Sequence, residues 1–130
     1  MAGDYEGRAN FVVVYLEEAH PTDGLMTSNV KHQIVQHANM EQRAAAAAVL
    51  ESELHNIFTT EPRLAESAGE SLVPVLVDSM DNLAASTFGA LPERLAVLVD
   101  GELKFLGGKG PEDYSVLECR EALDQLLCGS

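Results

Sequence analysis

A chain of 130 residues suits one domain with a modest core, and 46% apolar with 22% charged residues excludes a disordered or fibrous polypeptide. The 21 acids against 8 bases give a formal charge of −13, which repels phosphate backbones and argues against nucleic acid as a partner. No apolar run approaches the roughly 20 residues of a membrane span, and the first residues show no signal-peptide pattern, so a soluble intracellular protein is expected.

The segment Phe11-Val-Val-Val-Tyr15 is an unbroken apolar, β-branched run and reads as a strand buried on both faces. Glu17, Glu18 and His20 follow it directly, and Pro21-Thr-Asp-Gly24 then turns the chain. Ligands and chemistry in open α/β sheets collect outside the carboxyl ends of strands, where these residues fall. A carboxylate two residues from an imidazole fits a proton-handling pair, because it can fix the ring and raise its basicity. If the extended backbone persists, Glu18 and His20 share one side. From the spacing alone, a solvated strand end with three polar groups is the commoner arrangement, because short polar turns after buried strands are the norm.

A polar connector over residues 25–38 carries His32 and His37. Asn39 with Gln42 then makes a weak capping box for a helix whose apolar stripe is Met40, Ala44, Ala47, Leu50, Leu54 and Phe58. The alanines from 44 to 48 favour helix, and Thr59-Thr-Glu-Pro62 ends it. Residues 61–71 read as an acidic loop. Leu72 to Asp78 is a second buried strand, with Pro74 moving regular pairing to Val75 and beyond. A short helical turn is expected around Leu83–Phe88. Leu95–Val99 and Glu102–Leu106 flank Asp100-Gly101, a strong hairpin signal. Gly107-Gly-Lys-Gly-Pro111 lacks the spacing of a phosphate loop and reads as a tight turn. Ser115 and Glu118 cap a last helix with Val116, Cys119, Leu123 and Leu126 on its buried side.

Strand, helix, strand, hairpin, helix predicts an α/β fold: a βαβ unit and an antiparallel hairpin in a mixed sheet flanked by helices, thioredoxin-like in its latter part. Cys119 and Cys128, about 13 Å apart along a helix, cannot bridge and are expected to be reduced packing residues. His20, His32, His37 and His55 include no close-set ligand pair, so neither a metal nor another cofactor is expected, and His55 reads as a surface residue. Arg94, just before a strand, could meet a carboxylate ligand or one of the many acids.

Taken together, these strings resemble the iodothyronine deiodinases. Phe11-Val-Val-Val-Tyr-Leu-Glu-Glu-Ala-His-Pro-Thr-Asp-Gly24 is similar to that family's most characteristic stretch. Gln36-His37, Met40-Glu-Gln-Arg-Ala-Ala-Ala46, Asp78-Ser-Met-Asp-Asn82, Phe88-Gly89, Glu93-Arg94 and Leu106-Gly-Gly-Lys-Gly-Pro111 recur in the same order. The resemblance implies a thioredoxin-like fold over residues 1–130. It implies reductive removal of iodine from an iodothyronine or another halogenated phenol, with a thiol reductant and a selenocysteine nucleophile. By motif position, Tyr15, Glu18 and His20 would serve the site's proton network. His37 would be a second site histidine, and Arg94 with a histidine would hold the polar ends of the hormone. Pro92 stands where the family more usually has an aromatic residue, and resembles the often-cis proline of thioredoxins. The family's selenocysteine segment lies upstream of the residues matching Phe11, so an amino-terminally truncated chain without its nucleophile is expected. By the family's mechanism, this chain as written would not deiodinate. The alternative is a non-catalytic thioredoxin-like binding module. An exposed sheet edge makes a homodimer a further expectation, and the resemblance allows a membrane anchor in a longer form.

Overall fold

A computed structural model describes residues 2–5, 7–18, 35–60 and 73–128. They form two compact units, Met1–Asn82 and Leu83–Ser130.

In the first unit, a short 3-10 turn, Ala2–Tyr5, buries Tyr5 against Phe11, with ring centroids 6.1 Å apart. Arg8 lies 5.1 Å from the Tyr5 ring centroid and donates to the Asp4 carbonyl, closing the turn over the aromatic face. Strand β1, Val13–Tyr15, pairs in parallel with β2, Val75–Val77, in the register Val13↔Val75, Val14↔Leu76, Tyr15↔Val77. The carbonyl of Pro74 accepts from Val13, so the ladder runs from Val75 onward, as a residue without an N–H dictates. Between the two strands runs helix α1, Met40–Thr60, which packs on β2 and completes the βαβ unit.

Two expectations change here. The first strand is not buried on both faces: Val12 is 53% and Leu76 54% exposed, while Val13, Tyr15, Val75 and Val77 are half-buried. Among the described residues, α1 covers one face of the pair only. The buried phase of α1 also differs. Asn39 caps it as expected, its Oδ1 accepting from the Gln42 amide at 2.9 Å, although Gln42 reaches back to the Ala38 amide rather than to that of Asn39. Beyond the cap, the buried residues are Arg43, Ala46 and Ala47, with Leu50 and Leu54 half-buried, while Met40 and Ala44 face water.

In the second unit, helix α2, Leu83–Phe88, precedes an antiparallel hairpin of β3, Ala96–Val99, and β4, Glu102–Leu106. Asp100 and Gly101 both adopt positive φ, 51° and 82°, which gives the two-residue turn the twist that matches its strands. The register shifts between Val97 and Leu98, leaving Lys104 as the extra residue on β4. The glycine-rich run continues along the hairpin: Gly107 N–H bonds to the Leu95 carbonyl and Gly110 N–H to the Glu93 carbonyl. Helix α3, Val116–Cys128, packs on β3 and is capped by Ser115, whose Oγ accepts from the Glu118 amide at 3.2 Å. Leu91–Pro92 is a cis peptide, as is Gly110–Pro111. Cys119 is buried and Cys128 exposed, so only the first of the two is a packing residue; both are free thiols.

Strand pairing thus yields one parallel and one antiparallel pair rather than a single mixed sheet among the described residues. The elements and their order are those of a thioredoxin-like α/β fold. Among the described residues no helix is long and apolar enough to cross a membrane.

Candidate functional site

The two parallel strands end side by side, because the Asp78 amide donates to the Tyr15 carbonyl at 2.9 Å. This brings the residues after β1 and those after β2 to one rim, where a parallel sheet presents its chemistry. Tyr15, the last residue of β1, donates its phenolic O–H to Glu18 Oε1. Glu18 is held at both backbone groups by one side chain. Its amide donates to Gln36 Oε1 at 3.0 Å, and Gln36 Nε2 donates to its carbonyl at 2.9 Å. That bidentate amide acts as a substitute strand partner where the regular ladder has ended.

His37, next to that glutamine and just before α1, projects its ring under Glu18. Its Nε2 lies 3.6 Å from Glu18 Oε1, beyond hydrogen-bond length, and has no hydrogen-bond partner among the described residues although the side chain is only 1% exposed. The ring stands 5.7 Å from that of Tyr15. On its other side, Nδ1 accepts from Arg43 Nε at 3.1 Å. Arg43 is itself buried, and its Nη1 donates to the Ser79 carbonyl at 2.7 Å and to Asn82 Oδ1 at 2.9 Å. The chain of contacts is therefore Tyr15, Glu18, His37, Arg43, and then the loop after β2.

The electrostatics follow from burial. Withdrawal from water raises the Glu18 carboxyl above the ordinary carboxylate range. Burial also lowers the His37 pKa, the positive charge of Arg43 lowers it further, and Glu17 opposes both. A carboxyl moved upward beside an imidazole moved downward keeps both groups in their neutral forms over a wider range of pH. Asp78 is buried at the same rim and accepts from the Ser79 amide through Oδ1 at 2.9 Å.

The structure brings Tyr15 and Glu18 together, and His37 joins them. His20 lies outside the described residues, so the Glu18–His20 pairing does too, as do His32 and the Pro21–Gly24 turn. Arg94 sits in the second unit, where among the described residues it bonds to backbone carbonyls rather than to an acid. Its Nε donates to the Gly107 carbonyl at 2.6 Å and its Nη1 to those of Phe88 and Gly89 at 3.1 and 3.2 Å. Cys119 on α3 is pushed up by burial, which keeps its thiol protonated and unreactive. Gln36, Arg43 and Asn82 carry roles that sequence reasoning did not assign. For all three the only signal was their place in strings already singled out for resemblance.

Comparison with known proteins shows the family. A family model described as iodothyronine deiodinase matches residues 1–127. A thyroxine 5-deiodinase of Sparus aurata is 38% identical over 129 residues, covering 99% of this chain and 42% of that protein. The thyroxine 5-deiodinase of Gallus gallus is 34% identical over 96% of this chain and 42% of its own length, and that of Homo sapiens 34% identical over 97% and 37%. The chain spans about two-fifths of the length of the curated relatives it matches.

Proposed function

The chain belongs to the iodothyronine deiodinase family, and on that premise we propose that its Tyr15–Glu18–His37 cluster handles the proton in reductive removal of iodine from an iodothyronine. Replacing an aryl carbon–iodine bond by carbon–hydrogen takes up two electrons and one proton and releases iodide. A thiol reductant supplies the electrons by way of the family's selenol, and the cluster supplies the proton. Glu18 carries it: burial keeps its carboxyl protonated to higher pH than usual, and Tyr15 holds one of its oxygens. His20, by its place in the motif, extends the same network. By the resemblance alone, His37 and Arg94 are assigned to the polar ends of the ligand. The observation that carries the proposal is the buried His37 Nε2 with no hydrogen-bond partner among the described residues, facing Glu18. A polar atom withdrawn from water and left open is expensive unless something else uses it. A second copy of the chain, docked on the exposed row of Val12, Val14 and Leu76, belongs to the same proposal, and sedimentation velocity over a concentration series reads it directly.

The experiment is calorimetric titration of the 130-residue chain with thyroxine and with its iodine-free parent thyronine. It needs no turnover. Saturable binding of thyroxine, weakened about tenfold or 1.4 kcal/mol by His37→Gln, is the expected result. Absence of saturable binding, or binding that His37→Gln and Glu18→Gln both leave unchanged, refutes the assignment.

A further inference from the structure

We infer that Arg43 is a positioning residue that locks His37 in the Nε2–H tautomer, so that the ring faces Glu18 as a hydrogen-bond donor and not as a proton acceptor. The first step is an inventory. Arginine has five N–H donors and no acceptor, and its Nε–H points at His37 Nδ1 from 3.1 Å. The bond requires a lone pair on Nδ1. A neutral imidazole carries one ring proton, which must then sit on Nε2. A proton on Nδ1 would instead oppose the Arg43 N–H across the same gap.

The second step is rigidity. Arg43 cannot swing aside cheaply, because it is 2% exposed and its Nη1 is tied to the Ser79 carbonyl at 2.7 Å and Asn82 Oδ1 at 2.9 Å. Those two partners follow β2, whereas His37 precedes α1. The guanidinium thus spans the rim and fixes the ring against it. Around the ring, the titratable and charged groups among the described residues are Tyr15 from β1, Glu17 and Glu18 after it, and Arg43 from α1. Asp78 follows β2, beside Tyr15.

The consequence is directional. Tyr15 O–H donates to Glu18 Oε1, and His37 Nε2–H faces the same oxygen from 3.6 Å without bonding to it, so the carboxyl oxygen is what both donors are aimed at. A histidine that relays protons takes one up on one nitrogen as it releases one from the other. Here Nδ1 is occupied by a donor that cannot supply a proton at neutral pH. His37 therefore ends the relay: it stabilises negative charge on Glu18 or on a ligand oxygen, and Glu18 exchanges the proton. Its bearing on catalysis rests on the proton-handling role proposed above.

The test is a long-range proton–nitrogen correlation spectrum of the chain labelled with nitrogen-15 in histidine, with the His37 ring assigned by its loss in His37→Gln. The expected pattern is a bare Nδ1 and a protonated Nε2, persisting as the pH falls through the ordinary histidine range near about 6.5. In Arg43→Met, which removes every donor and keeps an aliphatic stem, the two nitrogens move toward averaged positions and the ring titrates at higher pH. A proton on Nδ1 in the unsubstituted chain, or a mixture of tautomers there, overturns the inference. So does a folded Arg43→Met chain with the unsubstituted pattern. Should Arg43→Met fail to fold, the unsubstituted spectrum still decides. The spectrum involves no hormone, so loss of thyroxine binding and loss of the tautomer lock are separate results.

Discussion

Replacing Arg43 by methionine removes three hydrogen bonds at once, and the structure sets the size of the effect. The substitution keeps a long flexible stem, so the loss of packing is small and the polar terms dominate. His37 Nδ1 belongs to a side chain 1% exposed and regains no water, which costs about 1–3 kcal/mol for a stranded acceptor. The Ser79 carbonyl and Asn82 Oδ1 belong to half-buried residues and recover part of their hydration, so each forfeits about 1 kcal/mol of net bonding. The sum is about 3–5 kcal/mol, which is large against the stability of a domain of this size and still leaves the folded state populated at the upper end of the usual range. Arg43→Lys keeps the charge and three donors but not the planar fork that reaches opposite ends, so it is expected to lose about half as much.

Urea unfolding followed by far-ultraviolet circular dichroism measures this. With a slope of about 2 kcal/mol per molar, Arg43→Met should lower the midpoint by about 2 M and Arg43→Lys by about 1 M. Asn39→Ala in the same helix calibrates the scale, since loss of its Oδ1 cap is worth about 1 kcal/mol. An Arg43→Met chain within about 0.5 kcal/mol of the unsubstituted protein would mean that the guanidinium does not hold the rim. The His37 ring would then lack the rigid partner that fixes its tautomer.

Glu18→Gln tests the carboxyl's environment by the sign of its pH dependence. A carboxyl raised on folding stabilises fully below about pH 4.3, and that contribution is lost as the pH rises through its folded value, so the Gln chain should gain stability relative to Glu between about pH 4 and 7. A gap that narrows over that window, read from melting midpoints, would show a depressed Glu18 instead. Gly108→Ala places a methyl group on the Asp113 backbone, which cannot yield as a side-chain end would; a loss of about 1–3 kcal/mol is expected in urea, and a neutral substitution would refute the close approach. Arg94→Lys and Arg94→Ala should both destabilise the second unit, by about 1 and 2 kcal/mol, because three carbonyls lose a shared donor. An Arg94→Ala chain of undiminished stability would show that those three bonds contribute nothing to the fold.

The hairpin and the caps were legible because their signals are local. Asp100-Gly101 needs only its own positive φ angles, and Asn39 and Ser115 reach amides three residues on. The site was half legible for the same reason: Glu18 follows a strand that reads clearly, and Tyr15 lies three residues before it. The buried face of α1 was not, because alanines from 44 to 48 are apolar all round and carry no phase. Ala47, Leu50 and Leu54 were read on the right side, but Met40 and Ala44 were put in the stripe at the first turns, where Arg43 and Ala46 are the residues that turn inward. Hydropathy cannot correct that error, since what draws an arginine inside is a set of acceptors. Here those acceptors are His37 before the helix, and Ser79 and Asn82, which lie 36 and 39 residues after Arg43. Apolar periodicity records where water is excluded by greasy side chains. This site excludes water around a charge, and it became visible only when the chain had brought the ends of β1 and β2 together.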